Sequence, residues 1–251
     1  MNTFEINPIG ILHSPFKEKF GIPRQAGLIH SAHAHVEFSS PYNDPNAFKG
    51  LENFSHIWLT FGFHKNNADK WRPLIRPPRL GGNEKIGVFA SRSSFRPNGL
   101  GISVVKLISV DTQKNKTSLR IACPDLLDGT PIFDIKPYIE YSDSVKNAQC
   151  SFAKDTPVAK LSVKFTSQSL INLAHLKTEY EEDIEQLITE TLSLDPRPAY
   201  HQAQKNHDRE YGILLYDFNV RWRATADCAE VLSIQKITGL ENSTLADSSI
   251  R

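Results

Sequence analysis

Residues Gly87 to Gly101 read Gly-Val-Phe-Ala-Ser-Arg-Ser-Ser-Phe-Arg-Pro-Asn-Gly-Leu-Gly. Arg92 and Arg96 put two guanidiniums four positions apart, and Pro97-Asn98-Gly99 is a sequence that breaks helices and closes turns. A short, stiff loop with permanent positive charge suits an anionic or carboxylate-bearing ligand. The same residues would also make an ordinary charged hairpin end, because exposed arginines and glycine turns are common.

Other residues could do different chemistry. His33-x-His35, with His30 nearby, would point two imidazoles to one face of a strand, which is the beginning of a metal site. No third ligand is evident in the sequence, so no metal is expected. Lys70, Arg72, Arg76, Arg79 and Lys85 share a proline-rich stretch with Trp71 and one acid, Glu84. Such a stretch can grip a phosphate backbone and stack a base, or it can simply be a solvated loop. A second basic and aromatic cluster holds Arg197, Tyr200, His201, Lys205, His207, Arg209 and Tyr211.

These residues need elements to position them. From residue 4 to about 143 the chain offers short β-like runs divided by Pro, Gly, Asn and Asp. The runs are Leu28 to Phe38, Ile57 to Phe63, Ile86 to Ala90, Ile102 to Val110 and Ser118 to Cys123, with a hairpin predicted at Lys114 to Lys116. Their spacing predicts a β-sandwich or a small barrel, with the Arg92 loop hanging between two strands. Residues 146–160 are polar and mixed, the expected linker. Beyond it, Leu176, Tyr180, Ile184, Leu187, Ile188 and Leu192 predict one amphipathic helix that stops at Asp195-Pro196. Its other face carries Glu179, Glu181, Glu182, Asp183, Glu185 and Glu190, a charge that should turn away from nucleic acid. Leu214, Tyr216, Phe218, Val220 and Trp222 alternate as one half-buried strand, with Ala229 to Ile237 as its partner. The expected organisation is a β-rich domain, sandwich or barrel, over 1–145, the linker, a small α+β domain over 161–240 and a flexible tail over 241–251.

Bulk properties are less specific. With 251 residues the chain can bury a sizeable core, and a net charge of +1 makes any nucleic-acid contact a matter of local patches. Cys123, Cys150 and Cys228 form no C-x-x-C pair, which argues against a zinc ribbon or disulfide scaffold and for a reducing compartment. The N-terminus lacks a signal-like region and no apolar run approaches the roughly 18 residues of a membrane span, so a soluble cytoplasmic protein with no membrane partner is expected. A nucleotide-binding fold of the dinucleotide type would show a strand, a glycine-rich turn and a helix; Gly99-x-Gly101 instead leads into a β-rich run.

The order Gly87-x-Phe89-x-x-Arg92-Ser93-x-x-Arg96-Pro97-Asn98-x-x-Gly101 resembles the signature of the TsaA-like (TrmO) family of tRNA N6-methyltransferases. So do Pro8 to Pro15, Gly21 to Gly27, Gly50 to Trp58, Asp125 to Tyr138, Asp195 to Tyr200, Tyr211-Gly212 and Asp217 to Trp222. The resemblance runs through nearly the whole chain up to the tail. It implies a non-Rossmann β-barrel that binds S-adenosylmethionine (SAM) and methylates adenosine 37, beside the anticodon of tRNA. The base implied as substrate already carries an N6-threonylcarbamoyl group. It also implies a homodimer.

With that cofactor in view, three further segments join the Arg92 loop. Pro23-Arg24-Gln25 offers a guanidinium and an amide for a carboxylate or an adenine edge. His64-Lys65 follows a strand exit, and Asp128-Gly129-Thr130-Pro131 combines a turn with a hydroxyl and backbone amides. Arg92 is the expected partner of the methionyl carboxylate, and Leu100 or Ile102 are expected at the adenine. Proton removal could be assisted by a nearby carboxylate, by His64 or by the substrate's own threonyl carboxylate, and the sequence does not choose among them; Arg96 or Lys65 could meet the threonyl carboxylate. Lys70, Arg72, Arg76, Arg79, Arg197, Tyr200 and Arg209 are the expected RNA contacts. Two other readings stay open on the residues alone, a noncatalytic RNA-binding barrel and a histidine-ligated metal enzyme.

Overall fold

The structure, a computed structural model, describes residues 3–66, 71–114, 116–198, 209–225 and 227–237. Lys70 and Tyr200 lie outside the described residues, as do His201, Lys205, His207 and the tail from 241.

Six strands close an antiparallel barrel: β1 (Gly10–His13), β2 (His33–Phe38), β3 (His56–Gly62), β6 (Leu100–Gln113), β7 (Lys116–Ala122) and β8 (Thr130–Pro137). Their order around the barrel is β1-β2-β7-β6-β3-β8, and β8 returns to β1 through Leu12↔Thr130 and Gly10↔Ile132. Alternation supplies the interior, because every second residue of each strand faces inward. Leu12, Val36, Ile57, Leu59, Leu119, Ile121 and Ile132 are fully buried there. One glycine is required by packing: a Cβ on Gly101 would lie 2.4 Å from two ring carbons of Phe61, which fills that corner of the core. The run from Ile86 is strand for only two residues. β5 (Ile86–Gly87) pairs with β4 (Leu74–Ile75), and Val88–Ala90 then turn into a 3₁₀ helix. Likewise only the second half of Leu28 to Phe38 is strand, because Ile29 and Ala32 are buried in a different core.

A short helix, α1 (Glu140–Asp143), follows the barrel. The second module is a sheet of order β10-β11-β12-β9, formed by β9 (Ser162–Phe165), β10 (Glu210–Leu215), β11 (Phe218–Ala224) and β12 (Cys228–Lys236). Two expectations are corrected here. The single amphipathic helix is two, α2 (Ser167–Leu176) and α3 (Ile184–Ser193). The break comes because Asp183 caps α3, its carboxylate accepting the Gln186 N–H at 3.0 Å, while Tyr180 leaves helical register to pack on Tyr216 and Phe218. The single strand Leu214 to Trp222 is a hairpin: β10 and β11 pair from Leu215↔Phe218 outward, and Tyr216 makes the turn at φ 49°.

The two modules share a core. Phe16, Ile29 and Ala32, from the chain between β1 and β2, are buried with Leu187, Ile188, Ile213, Leu215 and Trp222 of the second module. Backbone bonds fix the junction, with the Tyr216 N–H donating to Pro15 O at 2.8 Å and the Leu214 N–H to the Glu18 carboxylate at 2.9 Å. Two acids of the second module also face the barrel. Glu190 accepts from the Ser31 N–H and hydroxyl at 3.0 and 2.9 Å, and Glu182 pairs with Arg120 at 3.4 Å. No described helix is long and apolar enough to cross a membrane.

Candidate functional site

One rim of the barrel collects the exits of β1, β3 and β7 and the entries of β2, β6 and β8. The candidate residues lie on the segments that leave this rim. The turn carrying Pro23, Arg24 and Gln25 is pinned from below, the Gly27 N–H donating to Cys123 O at 3.0 Å. Across the rim Arg92 donates through Nη1 to Gln25 Oε1, joining residues far apart in sequence. Pro23 is buried, and Arg24 and Arg92 are exposed. A guanidinium and an amide are thereby held side by side and open to a ligand.

On the opposite part of the rim, His64 meets the Asp128 loop; its Nε2 lies 3.7 Å from where a Cβ on Gly129 would be. Partial burial, with Lys65 beside it, holds the His64 imidazole below its usual pKa, although the residue as a whole is exposed. The ring is therefore neutral near pH 7 and able to accept a proton. Asp128 itself is engaged inward: Oδ1 accepts from the Ser14 N–H at 3.0 Å and Oδ2 pairs with Lys17 at 2.9 Å. The Thr130 hydroxyl, buried, donates to Leu127 O at 2.6 Å, so both polar side chains of the Asp128 to Pro131 segment shape the loop. What that segment offers a ligand is its backbone, with Gly129 at φ 76°. Lys65 is exposed, and its carbonyl accepts from Lys19 Nζ at 2.8 Å.

Arg96 has a local task. Its Nη1 donates to Ser91 O at 3.0 Å and to Ser93 O at 3.3 Å, bracing the loop that presents Arg92. Leu100, paired with Gly62, opens β6 at the rim, but Ile102 points out of the barrel and is 57% exposed. An adenine reaching Ile102 would lie against the outer wall rather than inside the barrel.

Among the expected RNA contacts, Arg72 stands over the Phe95 ring at 5.6 Å, and its backbone N–H donates to Phe95 O at 3.2 Å. The basic stretch and the Arg92 loop thus form one body, with Trp71 and Arg76 exposed on it. Arg79 donates to Asp155 O in the linker. In the second module Arg209 covers Tyr211 at 5.5 Å. Arg197 is a correction. It is 7% exposed and forks onto Asp195 at 2.7 and 2.9 Å, and a buried pair of this kind is not available to a phosphate.

Sequence reasoning missed two groups. Asp125 lies within reach of Arg92 and of the backbone at Ala26: burial raises its pKa while the Ser103 hydroxyl, the Asp125 and Ala26 N–H groups and the Arg92 charge favour its anion. The first residue of the run from Asp125 to Pro131 was the available signal. The histidines are the other group: His13 is directly opposite His35 in the β1–β2 ladder, their rings stack at 4.8 Å, and Glu37 completes three ligand atoms within 4.8 Å of one another. Only strand pairing supplies that third ligand.

His33, on the same strand face, has an Nδ1 with no partner among the described residues. Burial lowers its pKa and the neighbouring Arg120 adds to the effect, against an opposing contribution from Glu182. Below an unfolded-state pKa of about 6.5 the unfolded chain takes up a proton that folded His33 refuses. Stability is therefore expected to fall as pH drops from about 7 through 6, and His33→Gln to flatten that slope. Urea melts at several pH values check it; an unchanged slope in the variant assigns the acid sensitivity elsewhere.

Comparison with known proteins identifies both modules. A model of the tRNA-methyltransferase O N-terminal domain matches residues 11–144, and one of the TrmO C-terminal domain matches residues 158–237. The chain is 44% identical over 235 residues to the tRNA (adenine(37)-N6)-methyltransferase of Escherichia coli K12, covering 94% of this chain and 99% of that one. A putative S-adenosylmethionine-dependent methyltransferase RcsF of Pseudomonas aeruginosa is 41% identical over 88% of this chain and 92% of its own. The crystal structure of TrmO from Pseudomonas aeruginosa superposes with a TM-score of 0.77 at 34% identity, covering 93% of this chain and 99% of that one. Family models that match both modules, together with a relative 44% identical through nearly the full length of both chains, establish that the chain belongs to the tRNA-methyltransferase O (TrmO) family.

Proposed function

We propose that this chain methylates N6 of adenosine 37 in tRNA, using SAM, and that the adenosine already carries a threonylcarbamoyl group on that nitrogen. The observation that carries the reading is the joining of Arg92 to Gln25 across the same rim on which His64 meets the backbone of the Asp128 to Pro131 segment. The chain is also similar, over nearly its whole length, to a tRNA (adenine(37)-N6)-methyltransferase.

When bound, SAM supplies an electrophilic methyl group on a sulfonium. Arg92 and Gln25 hold its amino-acid end, and the Gly129 to Pro131 backbone offers amide and carbonyl groups for its nucleoside. The accepting nitrogen is of the ureido type, with a delocalised lone pair, so positioning must supply most of the rate. Effective molarities on the order of 10⁵ M are within the reach of a rigid site. His64, neutral near pH 7, takes the proton that the nitrogen loses. Lys65, exposed beside it, is placed for the threonyl carboxylate, while Arg96 keeps the loop in shape. Arg72, Arg76, Arg79 and Trp71, on the body continuous with the Arg92 loop, would carry the anticodon arm to the rim.

Mass spectrometry of tRNA nucleosides from cells lacking the protein tests the reaction. The methylated form of threonylcarbamoyladenosine should disappear and its unmethylated precursor accumulate. If the methylated nucleoside persists, the assignment fails. Purified protein should also methylate tRNA bearing threonylcarbamoyladenosine and leave tRNA with plain adenosine 37 unmodified.

A homodimer is part of the same reading. Leu74, Phe89 and Ile102, around the Arg92 loop, are 53%, 75% and 57% exposed, an apolar surface that a second copy would cover. Light scattering at micromolar concentration is expected to give twice the 28.3 kDa chain mass. A species at the single-chain mass alone would overturn the dimer.

A further inference from the structure

We propose that Asp125 binds the α-ammonium group of the cofactor's methionyl end, so that Arg92 and Asp125 together recognise an amino-acid zwitterion. The inference rests on the reading of this rim as the SAM site.

Asp125 lies between β7 and β8, between buried Pro124 and Leu126, the latter part of the barrel core. Its Oδ1 is shielded from solvent and has no hydrogen-bond partner among the described residues. A carboxylate oxygen kept dry and unpaired opposes folding, and the barrel needs no charge at this position. The groups around it come from the candidate cofactor segments. Ala26 follows the Pro23 to Gln25 turn, Ser103, 6% exposed, adjoins Ile102 on β6, and Arg92 belongs to the loop above. The Ser103 hydroxyl and the Asp125 and Ala26 N–H groups lie near enough to favour the anion, yet none of them is a hydrogen-bond partner of Oδ1, which is left to accept from a donor other than these.

The chemistry of the donor follows from Arg92. A guanidinium that takes an α-carboxylate brings the α-ammonium, one carbon away in the same molecule, to whatever lies next to that guanidinium. A buried anion is the group suited to it, and the bound cation would offset the burial that now disfavours the charged carboxyl. The nucleoside hydroxyls and the adenine amino group are neutral donors for which an amide side chain would serve as well.

The test is calorimetric titration with S-adenosylhomocysteine and with its analogue lacking the α-amino group, together with thermal melts of the ligand-free proteins. Wild-type protein is expected to bind the analogue at least about 10-fold more weakly, as loss of a charge-assisted bond requires. Asp125→Asn is expected to melt no lower than wild type, to lose the same factor for S-adenosylhomocysteine and to treat the two ligands alike. A purely structural Asp125 would instead lower the melting temperature and leave discrimination intact. Equal wild-type affinity for the two ligands overturns the proposal without any variant, as does an Asp125→Asn protein that still discriminates. If Asp125→Asn does not fold, the wild-type comparison decides alone. Should Asp125→Asn behave as expected while Arg92→Ala binds like wild type, the ammonium site stands and the carboxylate assignment to Arg92 fails.

Discussion

Arg92→Ala is expected to bind SAM some 10- to 100-fold more weakly than wild type while unfolding at the same urea concentration. The size follows from the roughly 1.5–3 kcal/mol that a charge-assisted hydrogen bond is worth when its donor is removed. Retention of the fold follows from the structure. Arg92 is exposed, and its side-chain bond is to Gln25, whose amide can turn to water once the guanidinium is gone. Arg96 braces the loop through backbone carbonyls, so the backbone that carries position 92 keeps its support in the variant. Calorimetry on protein with a wild-type denaturation midpoint is the measurement. Unchanged affinity would take Arg92 out of the site and leave Arg24 as the guanidinium of that rim. A lowered midpoint would show instead that the Arg92 to Gln25 bond holds the rim together.

The barrel was legible because its strands are buried on one face. Period-two alternation in Ile57 to Phe63 and in Ile102 to Val110 survives in the structure as inward Ile57, Leu59, Phe61, Val105 and Leu107. Local periodicity failed where a tight turn shifted the phase without a marker. Ile213 and Leu215 are buried before the turn and Phe218, Val220 and Trp222 after it, a slip of one residue, while the apolar Leu214 and Tyr216 and the lack of glycine or proline at Tyr216-Asp217 let the hairpin read as one strand. The same holds from Leu176 to Leu192, where Tyr180 and Ile184 occupy helical spacing although the helix stops and restarts; only the capping carboxylate of Asp183 marks the restart. In the site, residue types were legible and pairings were not. The sequence offers Gln25 and Arg92 as separate features, and only closure of the barrel joins them. Arg197 looks like any surface arginine until Asp195 is seen to bury it. Asp125 was passed over because an acid next to a turn is ordinary, and its meaning lies in the absence of a partner for Oδ1.

The shared core alters what the second module is expected to do. A division into a cofactor barrel and an RNA clamp predicts that damage to the second module spares SAM binding. The structure argues otherwise, because the turn bearing Arg24 and Gln25 is strung between Phe16 and Ile29, and both are buried among residues of the second module. Trp222 is at the centre of that core, with no exposed surface, its ring 5.0 Å from Tyr211 and its indole N–H without a partner among the described residues. Trp222→Ala removes the largest side chain there and leaves a cavity, a loss of about 3–5 kcal/mol. Trp222→Phe should cost far less, since it keeps most of the ring and deletes a buried, unpaired donor. With Trp222→Ala, SAM affinity is expected to fall together with stability as Phe16 and Ile29 lose their packing and the Gln25 turn loosens, whereas Trp222→Phe should keep both. Urea melts and calorimetry on the two variants decide the matter. If Trp222→Ala destabilises the chain as expected and the remaining folded protein still binds SAM with wild-type affinity, the segment between Phe16 and Ile29 holds its turn without the second module, and the two modules act independently at the cofactor.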